Sequence, residues 1–361
     1  MQSPLLFRDA IFLRHISLES RRYIGSKTKL ADWIMGIIAT ECHDAHTFCD
    51  IFAGTATISK QALDHYDKVI INDLLYANNV IYKAFFAQGE WDENKLCDIL
   101  TEYNSLVAEE LPDNYFSENF GGKFYEYNVS KHIGYIRQDI EDRRAELTDK
   151  EYNILLASLI YNIDRLANTV GHFDAYIKKP IKSQPLQMRL IDAHSYANVE
   201  IYREDANRLA REISPDVVYL DPPYNSRQYC RFYHLYETLV KWDKPRLYGV
   251  ALKPAPENMS SYCTNRAGAM LEDLVLHLRA KYVVVSYNNT YNSKSSSSEN
   301  KIRLSEIRRI LDLCGDTKVF EHAYRFFNTG KTEFNDHKEV LFVTTIDESK
   351  RNKALATVLC W

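Results

Sequence analysis

Seven short runs rich in β-branched and aromatic residues limit the architectures open to this chain. Several are continuous apolar runs without polar alternation, which is typical of strands covered on both faces in a parallel sheet. We therefore predict an α/β fold with a doubly wound sheet. The predicted strands cover residues 46–52, 68–73, 199–205, 216–221, 282–288, 318–322 and 339–345.

The strand pattern is interrupted between residues 76 and 198, a stretch far longer than a single crossover connection needs. Its apolar spacing is mostly helical, and Thr148 with Glu151 predicts a capping box at the start of one helix. The apolar stripe of that helix consists of Leu155, Leu159, Ile163 and Leu166. We predict one domain formed by 1–75 and 199–361, with an inserted helical lobe at 76–198.

Charge and cysteine content exclude several classes of protein. A formal net charge of −4 argues against a uniformly basic nucleic-acid binder, so any polyanion must be held by local basic clusters. The seven cysteines are scattered and form no C-x-x-C pair, so neither a disulfide framework nor a zinc site is expected. The candidate clusters are 21–29, 176–182 and 301–309, and a cluster of this kind is more often a solvated charged face than a binding site.

Two features of the sequence concern location. The chain has no apolar stretch of the roughly 20 residues that a membrane-spanning helix needs. Its first residues carry charges through their apolar part and lack the layout of a secretory signal. We expect a soluble, cytoplasmic protein that makes no contact with a membrane.

The tetrapeptide Asp221-Pro222-Pro223-Tyr224 begins at the last residue of the fourth predicted strand. It should lie at the carboxyl edge of the sheet, where open α/β folds bind ligands. Two prolines fix the backbone and leave carbonyl oxygens free to accept hydrogen bonds. The Asp221 carboxylate and the Pro222 carbonyl could accept both N–H bonds of a nucleobase amino group, while Tyr224 offers a stacking face. The alternative is a Pro-Pro turn that merely ends a strand.

Polar residues at other strand ends suggest a nucleotide-like ligand. Residues 49–59 pass from a strand through a turn containing Gly54 into a helical segment, which allows close approach of the backbone to a ligand. Ala56 stands where a second glycine could lie, so the dinucleotide fingerprint is absent. Asp73 ends the second predicted strand, where an acid could reach ribose hydroxyls, and Asp205 closes the third predicted strand.

The order of these segments resembles a known family. “RYIGSKTKL” (22–30), “CDIFAGTAT” (49–57), “IND”, “YRED” and “DPPY” occur in the order found in the α-group, Dam-like (D12-class) DNA adenine-N6 methyltransferases. The resemblance spans residues 20–345. Segments 168–179, 286–289 and 326–342 further resemble the restriction-modification branch that includes FokI-type methylases.

The resemblance implies a Rossmann-like methyltransferase sheet, S-adenosyl-L-methionine as cofactor and no metal. It also implies that the insertion is a target recognition lobe. Tyr23 and Lys27 match the motif that closes over the cofactor, and the turn around Gly54 matches the one that surrounds its methionine part. Asp73 matches the acid at the ribose. The residues so assigned to the cofactor are Tyr23, Lys27, Asp50, Phe52, Gly54, Thr55, Asp73, Asp205 and Asp221. The residues so assigned to catalysis are Asp221, Pro222, Pro223 and Tyr224.

The predicted function is site-specific methylation of adenine N6 by direct displacement, on a base flipped out of double-stranded DNA. By resemblance, the protein is expected to protect DNA beside a restriction endonuclease, without a stable complex between the two. Three alternatives stay open at this point: methylation of adenine in RNA, methylation of cytosine N4, and a catalytically silent nucleic-acid binding module. Asp221 argues against methylation of cytosine N4, because the enzymes that methylate this position usually have serine as the first residue of the motif. Intact Asp221 and Tyr224 argue against the silent module.

Overall fold

A computed structural model describes residues 15–290, 299–323 and 338–358 of the chain. Each of the seven predicted strands is present, which confirms the strand reading of the sequence. The strands are β1 (Thr47–Asp50), β2 (Lys68–Asn72), β3 (Val199–Tyr202), β4 (Val217–Leu220), β5 (Tyr282–Asn288), β6 (Gly315–Ala323) and β7 (Lys338–Ile346). The helices are α1 (Ala31–Glu41), α2 (Thr57–Ala62), α3 (Tyr76–Phe86), α4 (Glu93–Ser105), α5 (Tyr115–Phe120), α6 (Tyr127–Asp142), α7 (Asp149–Asp164), α8 (Ala206–Leu209), α9 (Tyr229–Phe232), α10 (His234–Lys241), α11 (Ala267–His277), α12 (Leu304–Asp312) and α13 (Glu348–Val358).

The strands form one mixed sheet in the order β3-β2-β1-β4-β5-β7-β6. Strands β2, β1, β4 and β5 run parallel, whereas β7 is antiparallel to both β5 and β6. The first strand, β1, lies inside the sheet, and β2 and β3 follow it toward one edge. Strand β4 then lies on the other side of β1. This reversal makes a topological switch point between β1 and β4, the place where such sheets bind ligands.

Strand β4 shows why the apolar runs lack alternation. All four of its residues are buried. Val218 and Leu220 belong to one apolar cluster together with side chains of α11 and α12. Since successive side chains point to opposite faces, the buried Val217 and Tyr219 lie on the other face of the sheet. Both faces are therefore covered, as the continuous runs predict.

The chain divides into two compact units. Unit 1 comprises Met1–Ser26, Leu75–Ile201 and Tyr229–Glu257, and unit 2 comprises Lys27–Leu74, Tyr202–Gln228 and Asn258–Trp361. Unit 1 thus contains the predicted insertion at 76–198 and, in addition, helices α9 and α10. Its role in target recognition stays a prediction.

Helix α7 of unit 1 begins with the predicted capping box. The Thr148 side chain accepts from the Glu151 backbone N–H, and the Glu151 carboxylate accepts from the Thr148 backbone N–H. The stripe residues Leu155, Leu159 and Ile163 are fully buried. Including Leu166 in the helix was wrong: α7 ends at Asp164, and the Leu166 N–H donates to the Ile163 carbonyl in a tighter turn.

Two expectations from composition can be compared with the described residues. The six cysteines among them are free and buried, whereas Cys360 lies outside this part of the chain. Within the same residues, no helix is both long and apolar enough to cross a membrane.

Candidate active site

The turn after β1 lies at the carboxyl edge of the sheet in unit 2. Gly54 has φ +54° and Ala56 has φ +57°, so both adopt the left-handed conformation before α2 begins at Thr57. The Gly54 N–H donates to Asp73 Oδ2 at 3.0 Å, so the acid that follows β2 orders the turn that follows β1. A positive φ favours glycine, so the backbone at Ala56, which carries a Cβ atom, is locally strained.

Asn72, the last residue of β2, was not singled out from the sequence. Its buried amide donates to the Ile51 carbonyl at 3.0 Å and to the Glu204 carbonyl at 3.1 Å, and it accepts from the Glu204 N–H at 2.9 Å. One side chain thus joins the segments that follow β1 and β3, and it fixes the backbone from which Asp73 projects. The only signal in the sequence was an amide directly before the acid in “IND”.

Asp50, the last residue of β1, is a buried carboxylate. Its Oδ2 accepts from the Ser59 hydroxyl at 2.7 Å, whereas among the described residues no group donates to the buried Oδ1. Burial, with a smaller contribution from the charges of Asp221 and Asp73, raises the pKa of Asp50 to about 7. A buried carboxylate oxygen without a donor suits a ligand that carries an amino group or a positive charge.

Asp221, directly after β4, lies in a cluster of charged and hydroxyl groups. Lys27 Nζ is 3.0 Å from Asp221 Oδ1 and 3.2 Å from Glu339 Oε1. The Tyr224 hydroxyl donates to Asp221 Oδ1, lies 3.1 Å from Glu339 Oε1 and contacts the Lys27 ammonium. Ser286 donates to Glu339 Oε1 at 2.7 Å. We call Lys27, Asp221, Tyr224 and Glu339 the Asp221 cluster.

The cluster holds two carboxylates and a single ammonium. Lys27 and Glu339 are buried, and the Asp221 side chain is 17% exposed. Burial raises the pKa of Asp221; Lys27 opposes this effect and Glu339 reinforces it, and the net result is a raised pKa. For Lys27, burial acts to lower the pKa, but the charges of Asp221 and Glu339 outweigh it and the pKa is raised. Lys27 therefore stays protonated, while Asp221 is a stronger proton acceptor than an exposed aspartate.

The Tyr224 ring packs against its surroundings within unit 2. It meets the Tyr287 ring edge-on with centroids 4.5 Å apart, and the Lys27 ammonium lies 4.8 Å from its centre. The Tyr224 carbonyl accepts from the Tyr287 hydroxyl at 3.1 Å and from the Lys301 N–H at 2.7 Å. Pro222 is buried and Pro223 is half-buried. The tetrapeptide is therefore held at both its acid and its aromatic end.

Glu339 is a site residue that sequence reasoning missed. It pairs with Asn288, the last residue of β5, because β7 runs antiparallel to β5. The amino end of β7 therefore lies at the edge where the parallel strands end. The signal was an acid at the start of an otherwise apolar strand, but Glu339 is 115 positions from Tyr224, and no local pattern relates the two.

The predicted position of Asp205 was wrong in one respect. Strand β3 ends at Tyr202, and Asp205 is instead the residue that caps the amino end of α8. Its Oδ1 accepts from the Asn207 N–H at 3.0 Å and from the Arg208 N–H at 3.2 Å. An aspartate before a helix satisfies free backbone N–H groups better than it extends a strand. Its assignment to the cofactor stays a prediction.

The remaining residues assigned to the cofactor lie in different surroundings. Phe52 meets the Tyr262 ring edge-on at 5.0 Å, and Thr55 Oγ1 is 3.0 Å from Thr57 Oγ1. Tyr23 lies in unit 1, where it stacks on Tyr233 with centroids 4.7 Å apart. Each of these rings and hydroxyls has packing or hydrogen-bond partners within its own unit.

The basic cluster 21–29 is only partly exposed. Arg21 is buried. Arg22 pairs with the buried Asp164 carboxylate at 3.1 Å, and Lys27 belongs to the Asp221 cluster. These cations are buried or ion-paired, whereas Lys29 is exposed. The segment therefore offers few cations for contact with phosphates.

The other two basic clusters differ from each other. In 301–309, Arg308 pairs with Asp312 at 2.7 Å and Arg309 with Glu272 at 2.6 Å, so acids compensate these charges. In 176–182 the three lysines are exposed. The second segment is therefore the better candidate for contact with a polyanion.

Comparison with known proteins identifies a family and several relatives to which this chain is similar. Residues 23–338 match the D12 class N6 adenine-specific DNA methyltransferase family. Modification methylase LlaI of Lactococcus lactis subsp. lactis is 30% identical over 86% of this chain and 52% of its own length. Type II methyltransferase M.FokI of Planomicrobium okeanokoites is 30% identical over 92% and 53%.

Type II methyltransferase M.NlaIII of Neisseria lactamica is 29% identical over 88% of this chain and 95% of its own length. The chain thus spans about half the length of the LlaI and FokI enzymes and nearly all of the NlaIII enzyme. The family match covers the turn after β1, the acid after β2 and the Asp221 tetrapeptide. The chain belongs to the family of D12 class N6 adenine-specific DNA methyltransferases.

Proposed function

We propose that this protein is a site-specific DNA adenine-N6 methyltransferase that acts on double-stranded DNA with S-adenosyl-L-methionine. The observation that carries the proposal is the Asp221 carboxylate, which is only 17% exposed and has a raised pKa, located after β4 beside the switch point of the sheet, in a chain of this family. The names of its relatives support a role as the modification enzyme of a restriction-modification system, beside a restriction endonuclease encoded nearby. Since its DNA substrate would lie in the cytoplasm, we propose that location as well.

The residues of unit 2 at the carboxyl edge of the sheet fit the cofactor. The free Oδ1 of Asp50 and the left-handed turn at Gly54 suit a ligand with an amino group and a close approach to backbone. Asp73 would hold the ribose, and Phe52 would line the site. By resemblance to the family, the cofactor would also contact Tyr23, Lys27, Thr55 and Asp205. When bound, S-adenosyl-L-methionine supplies an electrophilic methyl group on a sulfonium sulfur.

Asp221 and the Pro222 carbonyl would accept the two N–H bonds of the target amine, and Tyr224 would stack on the flipped adenine. The amine nitrogen forms a bond to the methyl carbon while the carbon–sulfur bond breaks. One proton of the amine then passes to Asp221. Holding the amine in line with the methyl group supplies most of the acceleration.

The proposal can be tested in a bacterial host that lacks DNA methylation. Expression of the wild-type chain should produce modified adenines in a fixed sequence motif, read by single-molecule sequencing, and Asp221→Ala should remove them. Asp64→Ala, an exposed acid of the same unit, is the matched control and should leave the modification intact. Unmodified DNA together with methylated ribosomal RNA would overturn the proposal in favour of an RNA enzyme.

A further inference from the structure

We propose that Glu339 is a positioning residue that keeps an excess of negative charge on the Asp221 cluster, so that Asp221 can accept the proton released by the target amine. This inference rests on the proposed function. Lys27 Nζ lies at almost equal distances from the two carboxylates, 3.0 Å from Asp221 and 3.2 Å from Glu339. With Asp221 as its sole partner, Lys27 would neutralise the carboxylate that has to take up the proton.

The burial of Glu339 has no explanation in the packing of β7. Its side chain is only 6% exposed, and the three residues that follow it are buried apolar side chains. Burial of a carboxylate is unfavourable unless ion pairing and hydrogen bonds offset the loss of hydration. Lys27, Tyr224 and Ser286 meet that requirement, and two of these also contact each other in the Asp221 cluster. The burial of Glu339 is therefore explained by its contacts with the Asp221 cluster and not by the packing of β7.

Glu339 also provides a place for the partners that Asp221 must release. As the target amine approaches, the Tyr224 hydroxyl can turn from Asp221 to Glu339, since it lies within hydrogen-bonding distance of both. The amine nitrogen gains its bond to the methyl carbon and loses one proton, which binds to Asp221. Asp221 is then neutral, and Lys27 keeps Glu339 as a charged partner. No buried cation is left unpaired after the transfer.

Other titratable groups surround Asp221 and enter any pH dependence. Asp50 on β1 and Tyr219 on β4 interact electrostatically with it, in addition to Lys27, Tyr224 and Glu339. The charge of Glu339 raises the pKa of Asp221 and the pKa of Lys27. Its removal should therefore move the titrations of both groups to lower pH. The contribution of Asp50 is common to wild type and variant, so the difference between them isolates Glu339.

The test compares wild type, Glu339→Gln, Glu339→Asp and Asp221→Asn in single-turnover methyl transfer on duplex DNA from pH 5 to 10. Glu339→Gln keeps the shape and the hydrogen-bond acceptor but lacks the charge. We expect its rate at pH 7.5 to fall roughly tenfold or more, with both limbs of the pH profile at lower pH. Glu339→Asp should restore the wild-type position of the limbs in part. Glu321→Gln, the same change at an exposed acid of β6, is the matched control and should match wild type.

A second measurement does not depend on activity. In protein labelled with carbon-13 at the lysine ε position, the Lys27 signal, assigned by its disappearance in Lys27→Arg, should titrate at lower pH in Glu339→Gln than in wild type. Unshifted pH limbs and an unshifted Lys27 titration in Glu339→Gln, with Asp221→Asn inactive, would overturn the role of Glu339 alone. An active Asp221→Asn would instead overturn the assignment of Asp221 in the proposed function.

Discussion

Tyr224 combines two roles that substitution can separate. Its hydroxyl bonds to Asp221 and lies near Glu339, whereas its ring packs on Tyr287 and would stack on the flipped base. The hydroxyl affects the charge of the cluster, and the ring affects the position of the base. The two roles should therefore fail in different steps of the reaction.

We expect Tyr224→Phe to retain much of the activity, because the ring remains. Tyr224→Ala should forgo stacking of about 1 to 3 kcal/mol and lower turnover accordingly. Fluorescence of 2-aminopurine at the target position, with single-turnover rates on the same duplexes, distinguishes flipping from chemistry. Equal turnover of Tyr224→Ala and wild type would contradict a stacking role.

Asp50 should make the stability of the fold depend on pH. Its pKa is about 7 in the folded state, against about 3.9 for an unperturbed aspartate. Between these values the folded state binds more protons than the unfolded state, so stability falls as pH rises from about 4 to 7. Asp50→Asn does not titrate, and its stability relative to wild type should increase over that window.

Urea unfolding at pH 4.5, 6 and 7.5 measures this difference. The expected change is on the order of a few kcal/mol across the window, since one pKa unit corresponds to about 1.4 kcal/mol. Asp64→Asn, at an exposed position of unit 2, should show no comparable trend. A stability difference between Asp50→Asn and wild type that stays constant with pH would contradict the buried titration.

Among the secondary-structure elements, α7 shows how far local sequence fixes a boundary. Its start is set by two reciprocal hydrogen bonds between Thr148 and Glu151, and Glu151 also pairs with Lys95 at 2.7 Å. Every residue from Ile154 to Asp164 is buried, including Ser158 and Asn162, so the apolar stripe accounts for only part of the burial of the helix. The end of the helix, in contrast, lies where Asp164 pairs with Arg22, a residue from a distant part of the chain.

Thr148→Ala should therefore destabilise unit 1 by about 1 kcal/mol, the usual cost of removing a helix cap. Thr101→Ala is the matched control, because Thr101 is an exposed residue inside α4 of the same unit. There alanine is the better helix former, and no destabilisation is expected. Chemical denaturation of both variants gives the comparison, and equal stabilities would show that the capping box contributes nothing.

For the molecule as a whole, the net charge of −4 means that DNA, the proposed substrate, would have to be held by local clusters of basic residues. Of the three clusters in the sequence, 21–29 has Arg22 and Lys27 in ion pairs, and 301–309 has Arg308 and Arg309 paired with acids. The exposed lysines at 178, 179 and 182 are left as the main candidates. They lie in unit 1, which also contains the insertion that we propose to read the target sequence.

Replacing Lys178, Lys179 and Lys182 by glutamine should weaken duplex binding and reduce its salt dependence. The slope of log affinity against log salt should fall in magnitude by about 0.9 for each phosphate that the variant no longer neutralises. Replacing Lys318 and Lys350, exposed lysines already paired with Glu41 and Asp316, is the control and should leave the slope unchanged. A wild-type slope in the triple variant would exclude 176–182 from the DNA surface.

The amino-acid sequence was sufficient for the features that depend on neighbouring residues. Continuous apolar runs identify strands such as β4 and β5, because strands covered on both faces need no polar side chains. Strands β3 and β6 carry charged residues and are less buried, and their β-branched and aromatic residues identify them instead. The capping box at Thr148 and the position of Asp221 directly after β4 are equally local. The order of the motifs along the chain was enough to identify the family, because each motif is a short contiguous segment.

The tertiary structure alone decided which distant residues meet. Glu339 reaches Asp221 because β7 inserts antiparallel beside β5, and no pattern in either segment specifies that pairing. Arg22 and Lys27 lie close together in one basic run, yet one pairs with Asp164 and the other with Asp221. Short-range patterns report the backbone conformation that each residue prefers. Contacts across the chain depend on strand order and burial, which the whole fold sets.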